Sequence, residues 1–173
     1  MRTGLALLCP CLLMVGVVVK AQEKSVTIEI KNLDGQTAGK GVLSPAQPKG
    51  VKLDLTITNL PAGDHAFHIH QKPICDASEE FDTAGLQYDP TGEMYGNADH
   101  KAHSGHSAGD PRSTVTVGAD GTGHATVLFP ALTLGSDDHS VLANGGTAIM
   151  FHAAAGAKGP TRIACGIILK PKS

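Results

Sequence analysis

The chain has no tryptophan, only 2 Tyr and 4 Phe, and an aromatic share of 3%. It also lacks any long stretch of helical periodicity, while Gly, Thr and Val are abundant. Together these features exclude a helix bundle and give the chain a β composition. No extended basic run is present and the formal charge is −2, so neither nucleic acid nor an anionic membrane surface is an expected partner. The one long apolar run, Leu5 to Val19, is too short and too poorly flanked for a permanent membrane anchor. Following Arg2 and ending at Val19-Lys20-Ala21, it reads as a secretory signal peptide over residues 1–21, cut before Gln22. A lipid-anchored form is the alternative, because Cys9 and Cys11 lie in the leader, but the small residues expected before a lipid-bearing cysteine are missing. A secreted or periplasmic chain is therefore expected, with no membrane association after cleavage.

Roughly 150 residues follow the leader, enough for one domain with one full core over residues 22–173. Of the 4 cysteines only Cys75 and Cys165 lie beyond the leader. An even count in an exported chain reads as a disulfide, the alternative being two free buried thiols.

Apolar and polar residues alternate cleanly over Val51 to Asn59, as in a half-buried antiparallel strand. Further strands are expected at Ser25 to Lys31, Gly39 to Leu43, Asp64 to His70, Ser113 to Val117, Gly123 to Phe129, Thr147 to His152 and Ile163 to Leu169. Turn signals such as Leu33-Asp34-Gly35, Pro61-Ala62-Gly63 and Ala119-Asp120-Gly121 separate them. Seven or eight strands with regular turns predict a two-sheet sandwich or barrel. Between Gln71 and about Pro111 the pattern stops, and a loop of that length inside a compact domain is either functional or disordered.

Chemistry concentrates at His65-Ala66-Phe67-His68-Ile69-His70. On an extended chain His68 and His70 share one face, about 7 Å apart at Cα, and can share one metal ion. The alternative is a pair of hydrogen-bonded imidazoles on a strand. His65 falls on the opposite face, which points to a structural role. The loop adds a second set, His100, His103 and His106, followed by Asp110.

These stretches, with Thr83-Ala84-Gly85, Tyr88-Asp89-Pro90, Ala108-Gly109-Asp110, Met150-Phe151-His152 and Arg162-Ile163-Ala164-Cys165-Gly166 in that order, resemble the copper,zinc superoxide dismutases, the exported bacterial branch in particular. The resemblance spans essentially the whole chain after the leader. It implies an all-β, eight-stranded antiparallel Greek-key barrel with a long metal-site loop, and a Cys75–Cys165 disulfide. It implies copper ligation by His68, His70 and His152, superoxide as substrate, and Arg162 as the cation that guides the anion to copper. Whether such a chain works as a monomer or a homodimer is left open.

The departures from the family pattern are as informative. Where the family has the histidine that bridges copper and zinc, this chain has Gln87, and an amide can neither bridge as an imidazolate nor carry a proton. Two further zinc positions hold Tyr95 and Ser107, leaving Asp110 alone, so the inherited zinc site looks dismantled. His100, His103 and His106 with Asp110 are candidates for a rebuilt second site, or His106 alone for the lost ligand; the alternative is a solvated loop. The stretch Ala153 to Thr161 is short and carries no Asp or Glu, whereas the family usually has an aspartate there that joins the surroundings of its two metals. The pattern is similar to copper-only relatives, although those generally keep the histidine replaced here by Gln87. Two functions follow: a copper enzyme that dismutes superoxide, or a copper-binding protein that stores, buffers or delivers the ion on the same scaffold.

Overall fold

Alternation of side chains organises the chain into eight antiparallel strands. In a computed structural model, which describes residues 24–92, 94, 106–159 and 161–171, they are β1 (Val26–Asn32), β2 (Thr37–Pro45), β3 (Val51–Ile57), β4 (Gly63–His70), β5 (Thr114–Val117), β6 (Gly123–Phe129), β7 (Thr147–His152) and β8 (Arg162–Ile168). The expected leader lies outside the described residues. In β1, Val26, Ile28 and Ile30 are buried and the residues between them exposed; β3 repeats the pattern with Val51, Leu53, Leu55 and Ile57. Period two thus sends one face of each strand into a common core.

The hydrogen-bonded order is β5-β4-β7-β8-β1-β2-β3-β6. Two connections, β3 to β4 and β6 to β7, leave one part of the sheet and re-enter at another, which gives the Greek-key winding. The two edge strands are joined by a tight turn in which Gly118 N donates to Thr122 O at 2.8 Å. They approach so closely that a Cβ on Gly123 would lie 2.6 Å from the Thr116 carbonyl oxygen, so only glycine fits there. The sheet is therefore a nearly closed barrel, its interior filled by aliphatic residues around Phe67, Phe129 and Phe151. The Phe67 and Phe151 rings stack with centroids 5.6 Å apart, fastening β4 to β7 from the inside.

β7 is buried along nearly its whole length because it is covered on both faces. Its inner face meets the core, while Ala148 and Met150 on the outer face pack with Phe81, Ala84 and Cys165. The long loop therefore does not stay structureless. It makes two short 3₁₀ turns, Ala77–Glu79 and Asp82–Ala84, and inserts Phe81 at 2% exposure. Phe81 takes a left-handed backbone (φ 63), which costs about 1–3 kcal/mol in a non-glycine residue and is sustained here by the burial of its ring. Sequence periodicity could not show this, because the apolar residues of the loop are single anchors with no repeat.

Cys75 and Cys165 are bonded, with Cα atoms 5.7 Å apart, and this joins the head of the loop to β8. The bond spans 90 residues of sequence, for which chain-entropy reasoning gives a stabilisation of about 4–5 kcal/mol. Replacing both cysteines (Cys75→Ser with Cys165→Ser) should lower the unfolding free energy in urea by roughly that amount. A loss below about 1 kcal/mol would mean that the loop is held without the bond.

Candidate metal centre

The site forms on the outside of the barrel, where β4 and β7 run side by side. His68 lies opposite Met150 and His70 opposite Ala148, whose small side chain leaves room for the ring. At the end of β7 the pairing with β8 slips, so that His152 faces Arg162 while Phe151 still faces Ala164. Regular pairing would have set Ile163 there. The irregularity brings the guanidinium alongside His152, a common use of bulges beside functional sites.

Ligand-capable atoms of His68, His70 and His152 lie within 4.8 Å of one another, and this is the only such group of three or more among the described residues. His68 Nδ1, His70 Nε2 and His152 Nε2 are buried and have no hydrogen-bond partner among the described residues. Such atoms ordinarily cost about 1–3 kcal/mol each, so three converging in one place fit a shared ion. Imidazole nitrogen is a good donor to copper and zinc alike, and the set fits one such ion.

The remaining ring nitrogens fix the tautomers. His70 Nδ1 lies 2.9 Å from the Gly85 carbonyl oxygen, to which its N–H donates. His152 is hydrogen-bonded to the backbone of Thr161. Each ring thereby presents a bare lone pair inward. Burial keeps them unprotonated: it is the largest influence pushing His70 and His152 down to about 4, with Arg162 and the neighbouring histidines adding to it. His68 is lowered as well, by burial and against the opposing pull of Asp110.

Arg162 is held where it can act on a small anion. Its Nη1 donates to the Phe81 carbonyl at 2.9 Å and its Nη2 to the Gly85 carbonyl at 3.3 Å, the oxygen that also receives His70. Its Nε is 3.4 Å from Asp82, an exposed carboxylate whose pairing in water is worth little. His65 faces inward, as the strand parity predicts. Its two nitrogens lie 2.8 Å from the His152 carbonyl oxygen and 2.7 Å from that of Pro61, so it ties the backbone of one site histidine to the turn before β4.

The altered positions are near one another. Gln87 pairs with His70 through an isolated bridge, and its Oε1 accepts from Ser107 Oγ at 2.8 Å. Two positions that hold zinc ligands in the resembled pattern here form a neutral side-chain hydrogen bond. Asp110 accepts from the Arg112 amide at 2.7 Å, lies 3.0 Å from His106 Nδ1 and 3.8 Å from His68 Nε2. Tyr95, His100 and His103 lie outside the described residues. The backbone partners of His70, His152 and Arg162, and the approach of Asp110 to His68, had no counterpart in the sequence reading, since carbonyl groups carry no sequence signal.

Depressed imidazoles make stability depend on pH in a definite direction. An unfolded histidine protonates near 6.5, whereas His70 and His152 in the fold do so only near 4. The unfolded chain thus binds more protons between these values, and metal-free protein should lose stability as pH falls from about 6.5 to about 4. His70→Gln with His152→Gln should flatten that slope in denaturant titrations; an unchanged slope would place its origin elsewhere.

Known proteins share both the sequence and the fold. The family model for copper/zinc superoxide dismutase matches residues 36–168. The chain is 32% identical to superoxide dismutase [Cu-Zn] 1 of Aquifex aeolicus, with 86% of this chain and 89% of that one covered. It is 29% identical to superoxide dismutase [Cu-Zn] of Haemophilus parainfluenzae, covering 97% and 98%. Among solved structures, a double mutant of an SOD-like protein from Bacillus subtilis superimposes with a TM-score of 0.67 at 25% identity, covering 83% of this chain and 97% of that one. The Cu/Zn superoxide dismutase from Brucella abortus shares the fold, with a TM-score of 0.56 at 24% identity and coverage of 84% and 99%. The chain belongs to the copper/zinc superoxide dismutase family.

Proposed function

We propose that this chain, exported and freed of residues 1–21, binds one copper ion through His68, His70 and His152 and converts superoxide to oxygen and hydrogen peroxide. The observation that carries the reading is the convergence of three buried, unpartnered imidazole nitrogens beside the Arg162 guanidinium. Bound copper would supply the one-electron chemistry by which one superoxide is oxidised to O2 and a second, taking up two protons, is reduced to hydrogen peroxide.

The chain's own groups do the rest. Gly85 and Thr161 carbonyls hold two rings in the tautomer that offers Nε2. Depressed proton affinity keeps those nitrogens available at neutral pH and below. Arg162 attracts the anion and, being clamped by the Phe81 and Gly85 carbonyls, presents its charge from a fixed point. An open groove of about 460 Å³ on the β5 side is lined by Ala66, His68, Asp110, Arg112, Ser113 and Thr114, next to the outward edge of His68. Gln87, engaged with Ser107, has no proton to give, so both protons come from water. Zinc has no part in this scheme.

Arg162→Ala should cut the second-order rate with superoxide about tenfold and flatten its dependence on ionic strength. Copper affinity should change little, because Arg162 contacts no ligand nitrogen. A copper-loaded chain that reacts no faster than free copper ions, and is indifferent to Arg162→Ala, would instead be a copper-binding protein that stores or delivers the ion.

A further inference from the structure

The three histidines sit on β4 and β7, and Arg162 flanks them from β8. On the opposite flank, across β4, the chain enters β5 through Asp110-Pro111-Arg112-Ser113. Arg112 has a left-handed backbone there (φ 52), a conformation that favours glycine and is rare in other residues. The turn is closed by its own amide, which donates at 2.7 Å to Asp110 Oδ1, the oxygen that lies 3.8 Å from His68 Nε2. A glycine amide would make the same hydrogen bond without strain, so the turn itself has no need of this side chain. Backbone strain retained beside a functional site points to a role for the side chain that carries it.

The side chain has the means for one. Arg112 is exposed and lines the open groove of about 460 Å³ together with His68. Among the described residues its guanidinium makes no hydrogen bond or ion pair, whereas that of Arg162 is tied to Phe81, Gly85 and Asp82. The one acid lining the groove, Asp110, has a side chain only 14% exposed, and its two oxygens face the Arg112 amide and His106. The charge that the groove presents to solvent is therefore mainly that of the guanidinium. Two groups lining one groove of this size lie within roughly a Debye length of each other at physiological salt, so an anion approaching His68 along it feels Arg112.

We propose that Arg112 is a second anion-guiding cation, which draws superoxide toward the copper site along the β5-side groove while Arg162 acts from β8. It supplies charge and holds no metal. The inference rests on the copper site proposed above, but its first test needs no metal. In the metal-free full chain, titration with azide, a small linear anion, should move the NMR signals of the Arg112 guanidinium and of the Ser113 and Thr114 amides. Rising salt should weaken that response, and Arg112→Gly should abolish it at the two amides. Arg112→Gly should unfold in urea at nearly the parent's midpoint, because glycine accepts the left-handed turn, so a lost response does not reflect lost structure. With Cu(II) bound, Arg112→Gly should lower the second-order rate with superoxide about threefold at low ionic strength and flatten its salt dependence. Arg112→Lys should keep most of the rate and Arg112→Glu should lose more than Arg112→Gly, all with copper affinity unchanged. Combined with Arg162→Ala, the losses should multiply, since the two cations act from separate flanks.

Groove signals that ignore azide, or that respond equally in Arg112→Gly, would overturn the proposal, even if copper binds. So would copper-loaded variants whose rates match the parent's at every ionic strength, or an Arg112→Lys variant as slow as Arg112→Gly, because charge would then not be what Arg112 supplies. If the parent chain took up no copper, the proposed function would fall, while the metal-free azide titration would still decide whether Arg112 gathers anions beside His68.

Discussion

Three imidazole lone pairs converging on one point are the constraint around which this molecule is arranged. The rings are held there as neutral groups, with polar neighbours at the outward nitrogens and with ligand-capable atoms within 4.8 Å of one another. That condition dictates local structure. The β4–β7 register places His70 over Ala148, the slip in β7–β8 pairing sets Arg162 beside His152, and the left-handed turn at Phe81 aims a carbonyl at the guanidinium. Gly85 serves two masters, accepting from His70 and from Arg162, so the ligand ring and the anion-attracting cation share one anchor.

The described parts of the long loop are anchored at several points: by the Cys75–Cys165 bond, by the burial of Phe81, by the Gln87–Ser107 hydrogen bond, worth about 1 kcal/mol, and by the backbone bonds that place Gly109 between Ile69 and Tyr88. Asp110 Oδ1 lies 3.8 Å from His68 Nε2, beside the cluster of three histidines.

Much of this was legible in the sequence, for reasons that can be named. Strand alternation is a strong local signal, and all eight strands lie within a few residues of where period two put them, including β2, which runs longer than the stretch Gly39 to Leu43 because Ala38 is buried beyond it. The common face of His68 and His70, and the inward turn of His65, follow from the same parity. The Cys75–Cys165 pairing was implied by the family resemblance and is present. Less visible were features made by backbone or by tertiary contact: the β-bulge that exchanges Ile163 for Arg162, the carbonyls of Phe81, Gly85 and Thr161, and the pairing of Gln87 with Ser107. For the loop set, spacing alone could not fix geometry: His106 lies against Asp110, while the group of three mutually close ligand atoms among the described residues is His68, His70 and His152.

The central claim is that three histidines and Arg162 suffice for copper-based dismutation without a bridging histidine or zinc. It is tested most directly by loading the purified chain with Cu(II), removing loose metal, counting the copper retained, and measuring superoxide consumption per copper before and after adding Zn(II). One tightly held copper per chain, turning over superoxide much faster than free copper ions and unaffected by zinc, is the predicted result. Activity that appears only with zinc, or a tightly bound copper no faster than the free ion, would contradict it.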